Sequence, residues 1–256
     1  MASTTGYGVA LVAPLDDSGR STGAQTTERV TLTGPLGCTE TGVDAYHLAP
    51  GDPVELSAGR EQVVVSLGQT ASPTLDETPV PPRGVGRVSP DHHCTLDSER
   101  AVTVVVVTAV ASNDADVATA VASTDPDIAT PDPTTVDLTA VEYRVPTTSE
   151  IATARLTAPL GCTDLKTNAR VLEPGQAVPT HTEGRQEELF VPLHGPAGMV
   201  VADERIETPP GTVVRVPPET PRSAFNDGDS DARWVMFGAP PTGGPEEWDP
   251  GAEILD

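Results

Sequence analysis

Residues 32–51 read LTGPLGCTETGVDAYHLAPG, and residues 156–175 read LTAPLGCTDLKTNARVLEPG. The two stretches lie at a constant offset of 124, and eleven of their twenty positions are identical, Pro35/Pro159, Gly37/Gly161, Cys38/Cys162 and Gly51/Gly175 among them. Self-similarity held over one unbroken register marks a tandem duplication. Weaker likeness continues downstream. AGREQVVVSL (58–67) follows EGRQEELFVPL (183–193) with a one-residue gap, RVSPDHHCTLD (87–97) follows RVPPETPRSAF (215–225), and RAVTVVVVTA (100–109) corresponds to ARWVMFGAP (232–240).

Each copy is a series of short β-prone runs separated by turn residues, and the chain carries 27 Pro and 23 Gly. In the second copy, ELFVPL (188–193) and MVVADERIET (199–208) flank a hairpin-like break, HGPAG; GTVVRVPP (211–218) and ARWVMFG (232–238) follow. Many short antiparallel strands at this spacing predict an all-β protein of sandwich or jelly-roll type, and the duplication predicts two barrels side by side. The expected organisation is a first barrel over 1–110, a solvated Asp/Ala/Thr/Pro linker over 111–137, and a second barrel over 138–238. An acidic Pro/Gly-rich tail over 239–256 completes it, with Trp248 and Ile254 expected to pack on the body.

Composition excludes several function classes. Acidic residues number 38 against 15 basic ones, a formal net charge of −23, and Lys166 is the sole lysine. Phosphate contacts need a basic face, so nucleic acid is excluded as a partner. Few lysines with abundant Asp, Thr and Ala resembles the composition of proteins from extreme halophiles, haloarchaea among them. There a dense carboxylate surface keeps its hydration where salt screens charge. Three cysteines without a CxxC pair make no disulfide framework, and no 18-residue apolar run suits a membrane span. The N-terminus lacks a basic n-region and an h-region, so the expected location is cytoplasmic.

The chemistry concentrates in PTHTEGRQEELF, residues 179–190. His181 and Glu183 alternate on an extended chain and therefore face the same way. The spacing Gly175, five residues, His181, one residue, Glu183, four residues, Glu188, six residues, Gly195 resembles the first motif of the cupin superfamily. Gly211, five residues, Pro217, then Arg222 and Asn226 resembles the second. With the duplication, the chain is similar to a bicupin, which implies two tandem jelly-roll, or double-stranded β-helix, barrels. In that family two His and a Glu from the first motif and a His from the second hold a divalent metal.

The resemblance places His181 and Glu188 at two ligand positions, Glu183 at the second His position and Arg222 at the third. Glu219 replaces a glycine of the second motif. A His with two carboxylates suits Fe, Mn, Ni or Zn as a three-donor face. A guanidinium cannot ligate, and Arg222 could instead pair with Glu183 or Glu188 in the metal's place. Both readings stand at this point, the second leaving the protein without a cofactor. The candidate pocket is His181, Glu183, Glu188, Arg222 and Asn226.

The first copy sets Ser57, Ala58, Gln62 and Cys94 against His181, Glu183, Glu188 and Arg222, a ligand-poor set that points to a structural barrel. In DHHC (91–94) the adjacent His92 and His93 face opposite ways if extended, so they do not share a metal. Cys38 and Cys162, in identical PLGCT contexts, read as packed turn residues. His194 reads as an exposed turn residue.

Two functions follow. One is a protein binding a small polar or anionic molecule in the second barrel, with a divalent metal there supporting isomerase, decarboxylase or dioxygenase chemistry. The other is a metal-free sensor or an oligomeric structural protein. The expected partners are a small-molecule ligand and a second copy of the chain.

Overall fold

A computed structural model describes residues 6–12, 26–110, 132–146, 149–242 and 252–254. The first barrel pairs a six-stranded sheet, ordered β11 (Thr134–Val136), β8 (Val85–Val88), β5 (Gln62–Ser66), β10 (Val102–Ala109), β3 (Thr41–Leu48), β2 (Glu28–Thr31), with a four-stranded sheet of β4 (Val54–Leu56), β9 (Cys94–Asp97), β6 (Thr74–Leu75) and β7 (Thr78–Pro79). The second repeats the plan. Its six-stranded sheet is β1 (Gly8–Leu11), β18 (Thr212–Val216), β15 (Glu187–His194), β20 (Ala232–Ala239), β13 (Lys166–Leu172) and β12 (Ala152–Arg155). Its five-stranded sheet is β17 (Glu204–Glu207), β16 (Gly198–Val201), β19 (Arg222–Phe225), β14 (His181–Glu183) and β21 (Ala252–Ile254). All these pairings are antiparallel, as in a jelly roll.

The two copies exchange their first strands. β1 precedes the first barrel in sequence but pairs with β18 of the second, Gly8 opposite Arg215. β11 precedes the second barrel but pairs with β8 of the first, Thr134 opposite Arg87. Residues 8–11 therefore complete the second barrel, and the end of the stretch read as a linker is a strand of the first. The rest of that stretch, 111–131, lies outside the described residues.

Strand β10, VTVVVVTA, shows no polar alternation because both of its faces are covered. Val104 and Val106 face the interior of the first barrel with Leu75 and Leu96. Val105 and Val107 face the second barrel and join one shared core with Leu189, Val191, Val213 and Val235. The second barrel's interior is filled by Phe190, Val214, Trp234, Met236 and Met199. One apolar layer between two filled barrels therefore joins the copies.

The PLGCT repeats form equivalent turns. The short helices α1 (Thr33–Leu36) and α2 (Thr157–Leu160) each end on a left-handed glycine, Gly37 at φ 70° and Gly161 at φ 69°. HGPAG is a crossing between sheets, since β15 and β16 belong to different ones. Its Gly195 has φ +79°, and a Cβ there would stand 2.0 Å from the Asp231 carbonyl oxygen. The actual hairpin falls inside MVVADERIET, where Ala202 and Asp203 take φ of 49° and 68° between β16 and β17. Two successive left-handed residues make the two-residue turn that matches strand twist. The tail's β21 pairs with β14, and Ile254 is 55% exposed rather than packed on the body. Trp248 lies outside the described residues. Among the described residues no helix is long and apolar enough to cross a membrane.

Candidate functional site

Strand β14 carries His181 and Glu183 inward, with Thr182 between them facing out. Glu188 comes from β15, and Arg222 from β19, directly opposite His181 in the ladder. His181, Glu183 and Arg222 are buried, Arg222 completely. His181 Nδ1 lies 2.9 Å from the Pro179 carbonyl oxygen. A carbonyl only accepts, so Nδ1 carries the proton and Nε2 presents a lone pair. Burial pushes the imidazole below its ordinary value, partly countered by Glu188, which keeps the ring neutral near pH 7.

Nε2 stands 3.8 Å from Glu183 Oε1 and 3.8 Å from Glu188 Oε2. The three donor atoms all lie within 4.8 Å of one another. A lone pair and two carboxylate oxygens converging in a buried space are the donor set of a divalent ion, so these residues fit one. The Pro179 contact is the kind of outer support that fixes a ligating imidazole.

Arg222 binds the same Glu188 oxygen that faces His181. Its Nε donates to Glu188 Oε2 at 2.9 Å, and Nη1 donates to the Pro218 and Thr220 carbonyls at 2.6 and 2.9 Å. Its Nη2 is buried with no acceptor among the described residues. Arg170, on β13, is a further buried group: burial pushes its guanidinium below the ordinary value, partly countered by Glu188 and Glu183. The sequence reading missed it, although it is a charged residue in register with the inward Leu172, two positions away on the same strand. The cluster's formal charges, Arg170 and Arg222 against Glu183 and Glu188, cancel.

Asn226 does not belong to this cluster. Its Nδ2 donates to the Leu172 and Ser230 carbonyls and its Oδ1 accepts from Gly228 N, so the amide closes a loop at the end of β19. Gln176 and the Gly175 turn hold the same region through backbone bonds to residue 226.

In the first barrel Leu56 stands opposite Cys94 as His181 stands opposite Arg222. The inward counterpart of His181 is therefore Leu56, and Ser57 faces solvent; a one-residue slip in the alignment exchanges strand faces. An open cavity of about 370 Å³ lies at this barrel, reached by Tyr46, Gln62 and Arg29. Arg29 is held there by a bidentate pair with Asp44. Cys38 and Cys162 pack in their turns, and burial pushes the Cys38 thiol up to about 11. His194 is exposed at the end of β15.

The comparisons agree with this architecture. Residues 170–238 match the family described as Cupin domain. A mutant oxalate decarboxylase from Bacillus subtilis superposes with a TM-score of 0.61 at 13% identity, over 90% of this chain and 74% of that one. A protein from Pseudomonas aeruginosa named for induction by glyoxylate gives 0.62 at 15% identity, over 82% and 79%. AerE from Microcystis aeruginosa gives 0.61 at 10% identity, over 91% and 97%. No curated protein matches the chain by sequence. At these identities the likeness concerns the fold: the chain is a cupin-type jelly roll, present twice. A further oxalate decarboxylase structure among the neighbours, at 14% identity, is described as having Mn(II) centres.

Proposed function

We propose that the second barrel binds a small carboxylate anion together with a divalent metal ion, each favouring the other. The observation that carries this is the formally neutral buried cluster around His181, with Arg222 Nη2 left without an acceptor. A dication alone would raise the buried charge to +2, and an anion alone would make it negative; each is costly away from water. An ion and a dianion together restore neutrality. His181, Glu183 and Glu188 would hold the ion, and Arg222 would orient the anion through its remaining N–H. A bound ion there supplies a Lewis acid toward a carboxylate oxygen.

Oxalate, named for one group of the structural neighbours, is the first probe. Manganese is the first ion, since it is named for the same group. The expected result is one Mn per chain in the presence of oxalate, lost in His181→Ala, with oxalate binding weakened in Arg222→Lys. Loading that is absent in the wild type, or unchanged in His181→Ala, contradicts the proposal. It would leave the metal-free sensor or structural protein as the reading.

The pairing of Arg222 with Glu188 favours that second reading in one respect. The guanidinium already provides the counter-charge for a carboxylate that would otherwise need an ion. The two differ in stability measurements: a self-sufficient ion pair gains nothing from added metal, whereas a metal site raises the melting temperature with ion concentration.

A further inference from the structure

His92 lies in the turn just before β9, whose first residue is Cys94; the two side chains come together there, while His93 is exposed. Asp76 meets them from the tip of the adjoining hairpin between β6 and β7. Its Oδ2 lies 2.5 Å from His92 Nε2, and one ligand atom from each of Asp76, His92 and Cys94 lies within 4.8 Å of the others. Among the described residues this is the second of two such clusters, and the first barrel contributes all of it.

The cluster is held from behind. Asp76 Oδ1 accepts from Thr95 N at 2.8 Å, and Asp76 N donates to the Thr95 carbonyl at 3.0 Å. Oδ2 is thereby aimed toward His92. Asp76 and Glu77 both hold left-handed φ, 44° and 67°, an uncommon conformation for non-glycine residues that fixes the tip against β9. Cys94 is fully buried, while the His92 and Asp76 side chains are 34% and 33% exposed. A soft ligand is thus anchored beneath two harder ones that solvent reaches. In the second barrel the places of His92 and Cys94 are taken by Thr220 and Arg222, and the equivalent hairpin turn is Ala202–Asp203. None of the first three can supply this set, so the duplication itself does not require it.

We infer that Asp76, His92 and Cys94 form a zinc-type site at the rim of the first barrel, binding a borderline divalent ion through one thiolate, one imidazole and one carboxylate. Sulfur, nitrogen and oxygen together suit Zn²⁺ in tetrahedral geometry, and three protein ligands leave the fourth position to water. Ligands about 2.0–2.3 Å from such an ion stand roughly 3.5 Å apart. Asp76 and His92 open from their present contact to that spacing by side-chain rotation on the exposed side. Binding releases the Cys94 proton, and the ion ties the hairpin tip to β9.

Cobalt tests the site because a cysteine-ligated Co²⁺ shows a thiolate-to-metal charge-transfer band in the near ultraviolet. His181 with its carboxylates cannot give that band, so the result is independent of the function proposed for the second barrel. Chelator-treated full-length protein titrated with Co²⁺ is expected to develop the band to one equivalent and lose it on adding Zn²⁺. His181→Ala retains the band and Cys94→Ser abolishes it. Asp76→Asn, at a position that solvent reaches, weakens Co²⁺ binding by more than the ~100-fold upper end of outer-shell changes. Absence of the band in the folded wild type overturns the proposal. So does a band that survives Cys94→Ser, or an affinity unchanged in Asp76→Asn.

Discussion

Glu61 and Glu187 occupy equivalent places in the two barrels, and each reaches across to bind the turn of the other copy. Glu61 accepts from the backbone N–H groups of Thr163, Asp164 and Leu165 and pairs with Arg87. Glu187 accepts from the N–H groups of Thr39 and Glu40 and the Thr41 hydroxyl, and pairs with Arg215. The PLGCT turns are thus held from the opposite barrel, which gives the duplication's best-preserved segment a structural reason. Together with the exchange of β1 and β11, the two clamps make the barrels a single reciprocal assembly.

Glu187→Gln and Glu61→Gln should each lower stability by about 3–5 kcal/mol, because each leaves a buried arginine uncompensated. Urea denaturation measures this. A loss below about 1 kcal/mol in both variants would mean that the clamps do not hold the barrels together.

Gly8 faces the turn of the first copy so closely that a Cβ would stand 2.2 Å from the Leu36 carbonyl oxygen. Gly8→Val should therefore detach β1 and expose the edge of β18, an unpaired strand prone to association. Hydrogen exchange is expected to quicken along β18 at Thr212–Val216 while β8 stays protected. Equal protection of β18 in variant and wild type would count against the strand exchange.

Arg222→Ala should destabilise the second barrel by about 3–5 kcal/mol, since Glu188 loses its partner in a buried setting. If the cluster holds a divalent ion, saturating metal recovers part of that loss by supplying the missing positive charge. Thermal melts of the variant with and without Mn²⁺ decide the point, and no recovery would separate Glu188 from metal binding.

The Cys38 thiol is pushed up to about 11, mainly by burial, and that of Cys162 is also raised by burial. The native state therefore keeps protons that the unfolded chain releases above the ordinary value of 9.0. The unfolded state then binds fewer protons, so stability falls as pH rises past about 9 and is unaffected by these groups below it. The double variant Cys38→Ala, Cys162→Ala should show a shallower alkaline decline in urea midpoint than the wild type. Identical slopes would remove the thiols from the account.

Much of this was legible in the residues. The 124-residue offset and the His181–Glu183–Glu188 spacing carried both the jelly-roll fold and the convergence of three donors, because strand alternation converts spacing directly into direction. Arg170 was not legible, since the influence of Glu183 and Glu188 on its charge depends on which way β13 faces in the closed barrel. Asn226 matched a motif position, but its amide serves the backbone, a use that spacing cannot reveal. The exchanged strands escaped for the same reason: Gly8–Leu11 reads as a strand without stating whose edge it joins. Glu187 and Glu188 show the limit plainly. Adjacent and chemically alike, they face the interface between the barrels and the buried His181 cluster respectively.

The most direct test of the central claim is the Mn²⁺ affinity of the full-length protein, measured by calorimetry with and without saturating oxalate and repeated in Cys94→Ser to silence the first barrel. If the neutral cluster takes ion and dianion together, oxalate tightens Mn²⁺ binding beyond the metal–oxalate association in solution, and Mn²⁺ tightens oxalate by the same factor. An Mn²⁺ affinity unchanged by oxalate, or no Mn²⁺ binding in its presence, contradicts the claim.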